Sequence, residues 1–191
     1  MDRRLSGAVA ALFCAVPLFF TNAHAQSFFD EVRFGAYQHD SGLIGTHKEA
    51  GADFAFEALS RPVTALWLIG TPRFVIGGAV NTAGKTNQIY LGIDKQLDFA
   101  HALFSDHDAL FIEGTIGGVW HSGKQDVRGT PLEASWKSHG SAFLFRPGLA
   151  AGYRFNEKWS IAISLNHISN ASLSTPNEGS NDLGLLIGMK L

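Results

Sequence analysis

The chain has 191 residues, with 15 Lys and Arg against 17 Asp and Glu and a hydrophobic fraction of 46% that includes 15 Phe. That length suits one domain able to bury a core or close a small barrel, and the near-balanced charge gives no basis for binding nucleic acid. A charged fraction of 17% with six Pro argues against disorder.

Residues 1–25 read as an export signal. Arg3 and Arg4 form a basic start, Leu5 to Phe20 an apolar run, and Ala23-His24-Ala25 ends in the small-x-small pattern a signal peptidase reads. The run is too short to span a bilayer, which needs roughly 20 residues. Cys14, the only cysteine, lies within it and follows Phe13 rather than the small residues of a lipoprotein signal. The mature chain, starting at Gln26, therefore has no disulfide, thiolate metal site or cysteine nucleophile. Cleavage removes Asp2, Arg3 and Arg4 and leaves a net charge of −3, from 13 basic and 16 acidic residues.

Period-two alternation then recurs along the mature chain, which predicts strands. In 31–38, Val32, Phe34 and Ala36 oppose Glu31, Arg33 and Tyr37. In 52–58, Phe54 and Phe56 oppose Asp53, Ala55 and Glu57. In 73–81, Phe74, Ile76 and Val80 oppose Arg73, Gly77 and Asn81, and in 88–94, Ile89, Leu91 and Ile93 oppose Gln88, Tyr90 and Asp94. The segment 110–116 sets Leu110, Ile112 and Ile116 against Glu113 and Thr115. Segment 143–154 sets Phe143, Phe145 and Leu149 against Arg146, Gly148 and Gly152. Segment 159–165 sets Trp159, Ile161, Ile163 and Leu165 against Ser160, Ala162 and Ser164. Segment 182–191 sets Leu183, Leu185, Ile187 and Met189 against Asp182, Gly184 and Gly188.

Taken together, the second faces mix small residues with a few charges such as Asp53, Glu57, Glu113 and Arg146, as the cramped interior of an eight-stranded barrel requires. The bulky apolar face then meets lipid. An exported chain of this pattern reads as an all-β protein, an eight-stranded antiparallel transmembrane β-barrel of the outer membrane comprising 26–191. Alternation alone leaves a soluble eight-stranded barrel as the alternative, because it does not say which face is wet. With both termini in the periplasm, the connections 39–51, 82–87, 121–139 and 168–181 face outside. The apolar stretch 60–71 reads either as an interfacial segment or as part of a longer strand.

The seventh strand gives His167 and Ser169 the parity of Leu165, so both project to lipid near the outward end. An imidazole beside a hydroxyl is the minimum for activating a serine toward an ester. At the outer rim it would lie near the head groups and first ester bonds of the outer leaflet. The plain alternative is a half-wet rim histidine followed by a turn-starting serine.

His167-x-Ser169-Asn170-Ala171 followed by Pro176-Asn177-x-Gly179 resembles the signature of the lipid A 3-O-deacylase (PagL) family, also described as acyloxyacyl hydrolases. The resemblance extends weakly over the mature chain, including 80–84 and the last strand. It implies an outer-membrane barrel with a lipid-facing site that hydrolyses the 3-position acyl ester of lipid A in lipopolysaccharide and releases a 3-hydroxy fatty acid. It further implies Ser169 as nucleophile, His167 as general base, and Asn177, with Asn170 or the backbone around Ala171, as oxyanion donors. No cofactor or metal is implied, and a homodimer is compatible with such a barrel.

One position departs from the pattern. The family's Glu, which orients the histidine, is replaced by Asn181. An amide oxygen can hold the imidazole tautomer, but it supplies no charge to the imidazolium. The outer-membrane phospholipase A family uses a Ser, His and Asn set, so activity is compatible with this residue. Glu178 or Asp182 would substitute if the strand register differed by one. The departure also keeps open a non-enzymatic envelope barrel and a phospholipid esterase of the same construction.

Other groups read more simply. His39, His47, His101, His107, His121 and His139 lack close metal-ligand spacing and read as solvated loop histidines. Asp40, Asp106 and Asp108 show no dense calcium-ligand pattern. The four Trp read as interface anchors or core. Lys124, Arg128 and Lys137 read as a solvated basic loop, with contact to lipid phosphates as the alternative.

Overall fold

The computed structural model describes residues 27–191, so the expected signal segment 1–25 lies outside the described residues. The strands are β1 Phe29–Gln38, β2 Ala52–Ser60, β3 Arg73–Asn81, β4 Gln88–His101, β5 Ala109–His121, β6 Phe143–Arg154, β7 Trp159–Ile168 and β8 Ser180–Lys190. Each pairs antiparallel with the next, and β1 pairs with β8, so the sheet closes into an eight-stranded barrel without a free edge.

The alternation decides which side chains go where. Phe34, Phe54, Leu91, Leu149 and Ile163 point outward and are 59–69% exposed. Arg33, Glu57, Tyr90, Glu113 and Arg146 point inward and are buried. An apolar coat of this extent is stable against hydrocarbon rather than water.

Ion pairs fill the interior. The Arg33 guanidinium donates two 2.6 Å bonds to the Glu113 carboxylate and a third, also 2.6 Å, to Glu31. Arg73 bridges Glu31 and Asp94 at 2.5 Å each. One layer away, Tyr90 donates to Glu57 at 2.9 Å, and the Arg146 guanidinium lies 3.7 Å from the centre of the Tyr90 ring. The charges seen in the sequence thus neutralise one another in a space too narrow for bulky apolar side chains, and removing one partner of such a pair costs about 3–5 kcal/mol.

Several strands run longer than the sequence expectation, β4 and β5 most of all. β4 and β5 run past 94 and before 110 because Leu97 and Phe99, with Leu110 and Ile112, continue the outward apolar face, and the pairing extends to His101↔Ala109. Lys95, within that extension, turns its ammonium to the carbonyl of Gly70. Past Ser60, the last residue of β2, the stretch to 71 is not part of a longer strand. Thr64–Ile69 forms a 3-10 helix, with Trp67 and Leu68 69% and 79% exposed, that ends at a left-handed Gly70.

Three of the loop histidines are not solvated. His39, His121 and His139 are buried at the end of the barrel that carries the long loops. Their burial comes from loop packing: 39–51 and 122–142 fold against each other, as when the Lys137 N–H donates to the Glu49 carboxylate at 2.9 Å.

Candidate active site

β7 and β8 bring His167 and Asn181 together as direct cross-strand partners. Both side chains lie on the outward parity, and the imidazole Nδ1–H donates to Asn181 Oδ1 at 2.8 Å. That bond leaves Nε2 with a free lone pair, the form a general base requires. Beyond the end of β7 the chain makes one more bridge. The Ser169 N–H donates to Phe145 O at 3.2 Å and Ser169 O accepts from the Phe145 N–H at 2.8 Å, which keeps Ser169 on the same side as His167.

His167 and Ser169 open into one cleft of about 300 Å³, whose walls include Ile44, Thr46, Asn177 and Gly179. The two side chains share it without a direct hydrogen bond. The Cε1 and Nε2 atoms of the imidazole pack close to Gly179, where an added Cβ would stand 2.6 Å from His167 Cε1 and 3.0 Å from Nε2.

The other site residues predicted from the sequence divide by where their side chains go. Asn177 lines the cleft; its Oδ1 accepts from the Asn170 N–H at 3.0 Å and its Nδ2 donates to Ser172 Oγ at 3.2 Å. Asn170 is buried in the loop, its Nδ2 directed at His139 O, Ser174 and Pro176 O. Its backbone N–H is already taken by Asn177. Ala171 and Ser172 both have positive φ, +52° and +63°, a sharp turn directly after the serine.

Neither acidic neighbour takes the place of Asn181. Asp182 faces the interior, where it accepts from Gln88 at 2.8 Å and from the Asp40 N–H at 3.1 Å. Glu178 pairs with Lys48 at 2.5 Å and accepts from the Ser138 N–H at 2.7 Å. Burial would raise the Glu178 pKa, but these partners outweigh it and hold the carboxyl below its ordinary range.

The sequence placed 39–51 among the outward connections but gave no sign that this loop packs on Asn181. Residues 39–51 cross the long-loop end so that the Ser41 N–H donates to Asn181 O at 2.6 Å and Asn181 Nδ2 donates to Ile44 O at 2.5 Å, leaving Asn181 fully buried. A cluster behind the loop anchors it. Asp40 accepts from the N–H groups of Lys48 and Glu49, at 2.7 and 3.1 Å, and from Lys137 Nζ at 3.3 Å. His39 donates to Asp53 at 2.7 Å and to Glu49 at 3.0 Å. Burial alone would lower the His39 pKa; the two carboxylates reverse that and lift it to about 10, while Glu49 falls to about 2 against its own burial. Donor atoms of His39, Asp53 and Asp182 lie within 4.8 Å of one another. The ring gives a proton to a carboxylate from each nitrogen, which is the chemistry of an imidazolium and not of a metal ligand. The glycines of this loop, Gly42, Gly45 and Gly51, were its only sequence signal of a tight path.

A second space leads away from His167 along the outer wall. Ile93, Ile116 and Pro147 are successive register partners, and Lys95, Gly114, Leu149 and Leu165 form the adjacent row. Between them runs an open apolar groove of about 660 Å³ that reaches from Ile44 and His167 to Pro72 and Ile69. Strands lie about 4.8 Å apart, so the groove covers roughly 19 Å from β7 to the start of β3. Rows perpendicular to tilted strands run obliquely down the wall.

The family model described as lipid A 3-O-deacylase (PagL) matches residues 75–190 of this chain. The crystal structure of the outer membrane enzyme PagL is similar to it with a TM-score of 0.61 and 18% identity, covering 84% of this chain and 99% of that one. The crystal structure of Neisserial surface protein A follows at a TM-score of 0.50 and 15% identity, covering 86% of this chain and 98% of that one. No curated protein matches the chain.

Proposed function

Because this chain belongs to the lipid A 3-O-deacylase (PagL) family, we propose that it is an outer-membrane serine esterase that removes the 3-position acyl chain of lipid A. In this reading residues 1–25 are removed on export, and the lipopolysaccharide substrate enters sideways from the outer leaflet.

The observation that carries the reading is the Nδ1–Asn181 bond of His167, which commits Nε2 to proton acceptance in a cleft shared with Ser169. Nε2 takes the Ser169 hydroxyl proton as Oγ attacks the ester carbonyl. Charge developing on the carbonyl oxygen is met by the Asn177 amide and the backbone at Ala171. The C–O bond to the sugar then breaks, the imidazolium returns its proton to the departing sugar oxygen, and Ser169 holds the acyl group. Water, deprotonated by His167, attacks the acyl carbon; the bond to Ser169 Oγ breaks, the imidazolium returns the proton to Oγ, and the 3-hydroxy fatty acid leaves. Asn181 orients the ring but adds no charge, which predicts a slower enzyme than one with a carboxylate there. The groove beside His167 is apolar and open to lipid, suited to the acyl chain during the reaction.

The Ser, His and Asn set also suits a phospholipid esterase, and one experiment separates the two. The refolded mature chain is incubated in detergent with lipopolysaccharide and, in parallel, with phosphatidylethanolamine. Loss of one hydroxyacyl chain from lipid A supports the deacylase; lysophospholipid as the only product supports the alternative. No product from either, with the barrel shown to be folded by heat-modifiable mobility, rejects the esterase reading.

A further inference from the structure

An amide has two unlike ends, and only one of them suits a general-base histidine. With Oδ1 toward the ring, Asn181 accepts the Nδ1–H and leaves Nε2 unprotonated. With Nδ2 toward the ring, Nδ1 must become the acceptor, the proton moves to Nε2, and the ring can no longer take a proton from Ser169. A carboxylate has no such choice. The replacement of Glu by Asn at 181 therefore creates a requirement for something that decides which way the amide points.

The loop 39–51 meets that requirement. The Ile44 carbonyl, which can only accept, stands 2.5 Å from Nδ2 on the side of the amide away from His167. Turning the amide over would set Oδ1 against this carbonyl, a repulsive contact between two acceptors in a fully buried position that no change of tautomer relieves. The Ser41 N–H bond to Asn181 O ties the same stretch of loop to the backbone of β8. Lys137 holds the loop from behind through the carbonyl of Thr46 and the carboxylate of Asp40.

We infer that the loop 39–51 is a positioning element: its Ile44 carbonyl selects the orientation of the Asn181 amide and so the tautomer of His167. This goes beyond the esterase reading, and only its kinetic test rests on that reading. The loop matches an amide and opposes a carboxylate, whose oxygen would face the Ile44 carbonyl directly.

Gly45 gives access to the contact. It shares a peptide unit with the Ile44 carbonyl and has φ of +92°. A Cβ there would meet nothing within 4 Å, so Gly45→Ala adds backbone strain that turns the peptide without a steric clash.

The test uses the refolded mature chain, labelled with ¹⁵N-histidine, in detergent micelles. The parent is expected to show His167 protonated at Nδ1 only, and Gly45→Ala a mixture of tautomers. On lipopolysaccharide, Gly45→Ala is expected to lower kcat by about tenfold or more at unchanged KM, a wrong tautomer costing up to ~10⁴ in serine hydrolases. In an Asn181→Asp background the same change should not lower kcat, because a carboxylate needs no orienting and its oxygen is relieved of the Ile44 carbonyl when that peptide turns. If Gly45→Ala does not refold, Lys137→Met, which releases the Thr46 carbonyl, replaces it. An unchanged His167 tautomer in the loop variant, or equal losses in the parent and Asn181→Asp backgrounds, overturns the inference. A parent without esterase activity counts against the proposed function alone, since the tautomer measurement still decides this one.

Discussion

His167 and Asn181 face each other across the β7–β8 ladder, with Nδ1 and Oδ1 2.8 Å apart and the amide fully buried. If this bond orients the base, Asn181→Ala should lower kcat by about 10² or more while KM for lipopolysaccharide stays within about twofold. Steady-state kinetics in detergent micelles give both constants. An equal rise in KM would mean that Asn181 serves binding instead.

Gly179 is the surface against which the imidazole lies. A Cβ here would meet His167 Cε1 at 2.6 Å and, at 3.0 Å, the carbonyl oxygen of Ile168, which cannot give way. Gly179→Ala should displace the ring and reduce kcat at least about tenfold, since small misplacements of catalytic groups are costly. Heat-modifiable mobility on a gel should remain that of the folded barrel.

The groove makes a separate prediction about substrate. Gly114 lies in its floor between Lys95 and Leu149, and a side chain added there meets no atom within 4 Å. Gly114→Trp should therefore fold normally and obstruct the groove. We expect kcat/KM for long-chain esters to fall at least about fivefold, an effect worth about 1 kcal/mol, with little change for an acetyl ester. Comparing the two substrates on one preparation tests it.

The clamp on the loop 39–51 should depend on pH. His39, held up at about 10, contributes stability that is complete below its ordinary value near 6.5 and is lost as pH rises toward 10. Glu49, held down at about 2, contributes stability that is complete above about 4.5 and is lost as pH falls toward 2. The loop should be firmest between those limits, near pH 4.5–6.5. Amide exchange of residues 41–50, corrected for the intrinsic pH dependence, should show protection falling above about pH 8, and His39→Gln should remove that dependence.

Much of this molecule was legible because a barrel wall writes its two faces into alternate residues. Phe34 and Arg33, or Leu91 and Tyr90, announce their sides without reference to any other strand. Where that signal stops, so does the reading. Lys95 interrupts the apolar face near the end of β4, although Leu97 and Phe99 continue it. His167, Ser169 and Asn181 were legible as a motif at strand parity. Their support was not, because the carbonyl that fixes Asn181 belongs to a residue 137 positions away. The burial of His39 likewise depends on loop packing, which composition does not encode.

The central claim is that Ser169 and His167 form an esterase site for lipid A, and one measurement addresses it directly. Parent, Ser169→Ala and His167→Ala chains, each shown to be folded, are incubated with lipopolysaccharide and the lipid A is examined by mass spectrometry. The account predicts loss of a single hydroxyacyl chain with the parent and an unchanged spectrum with both variants. Deacylation that survives Ser169→Ala, or an unchanged spectrum with the parent itself, would contradict it.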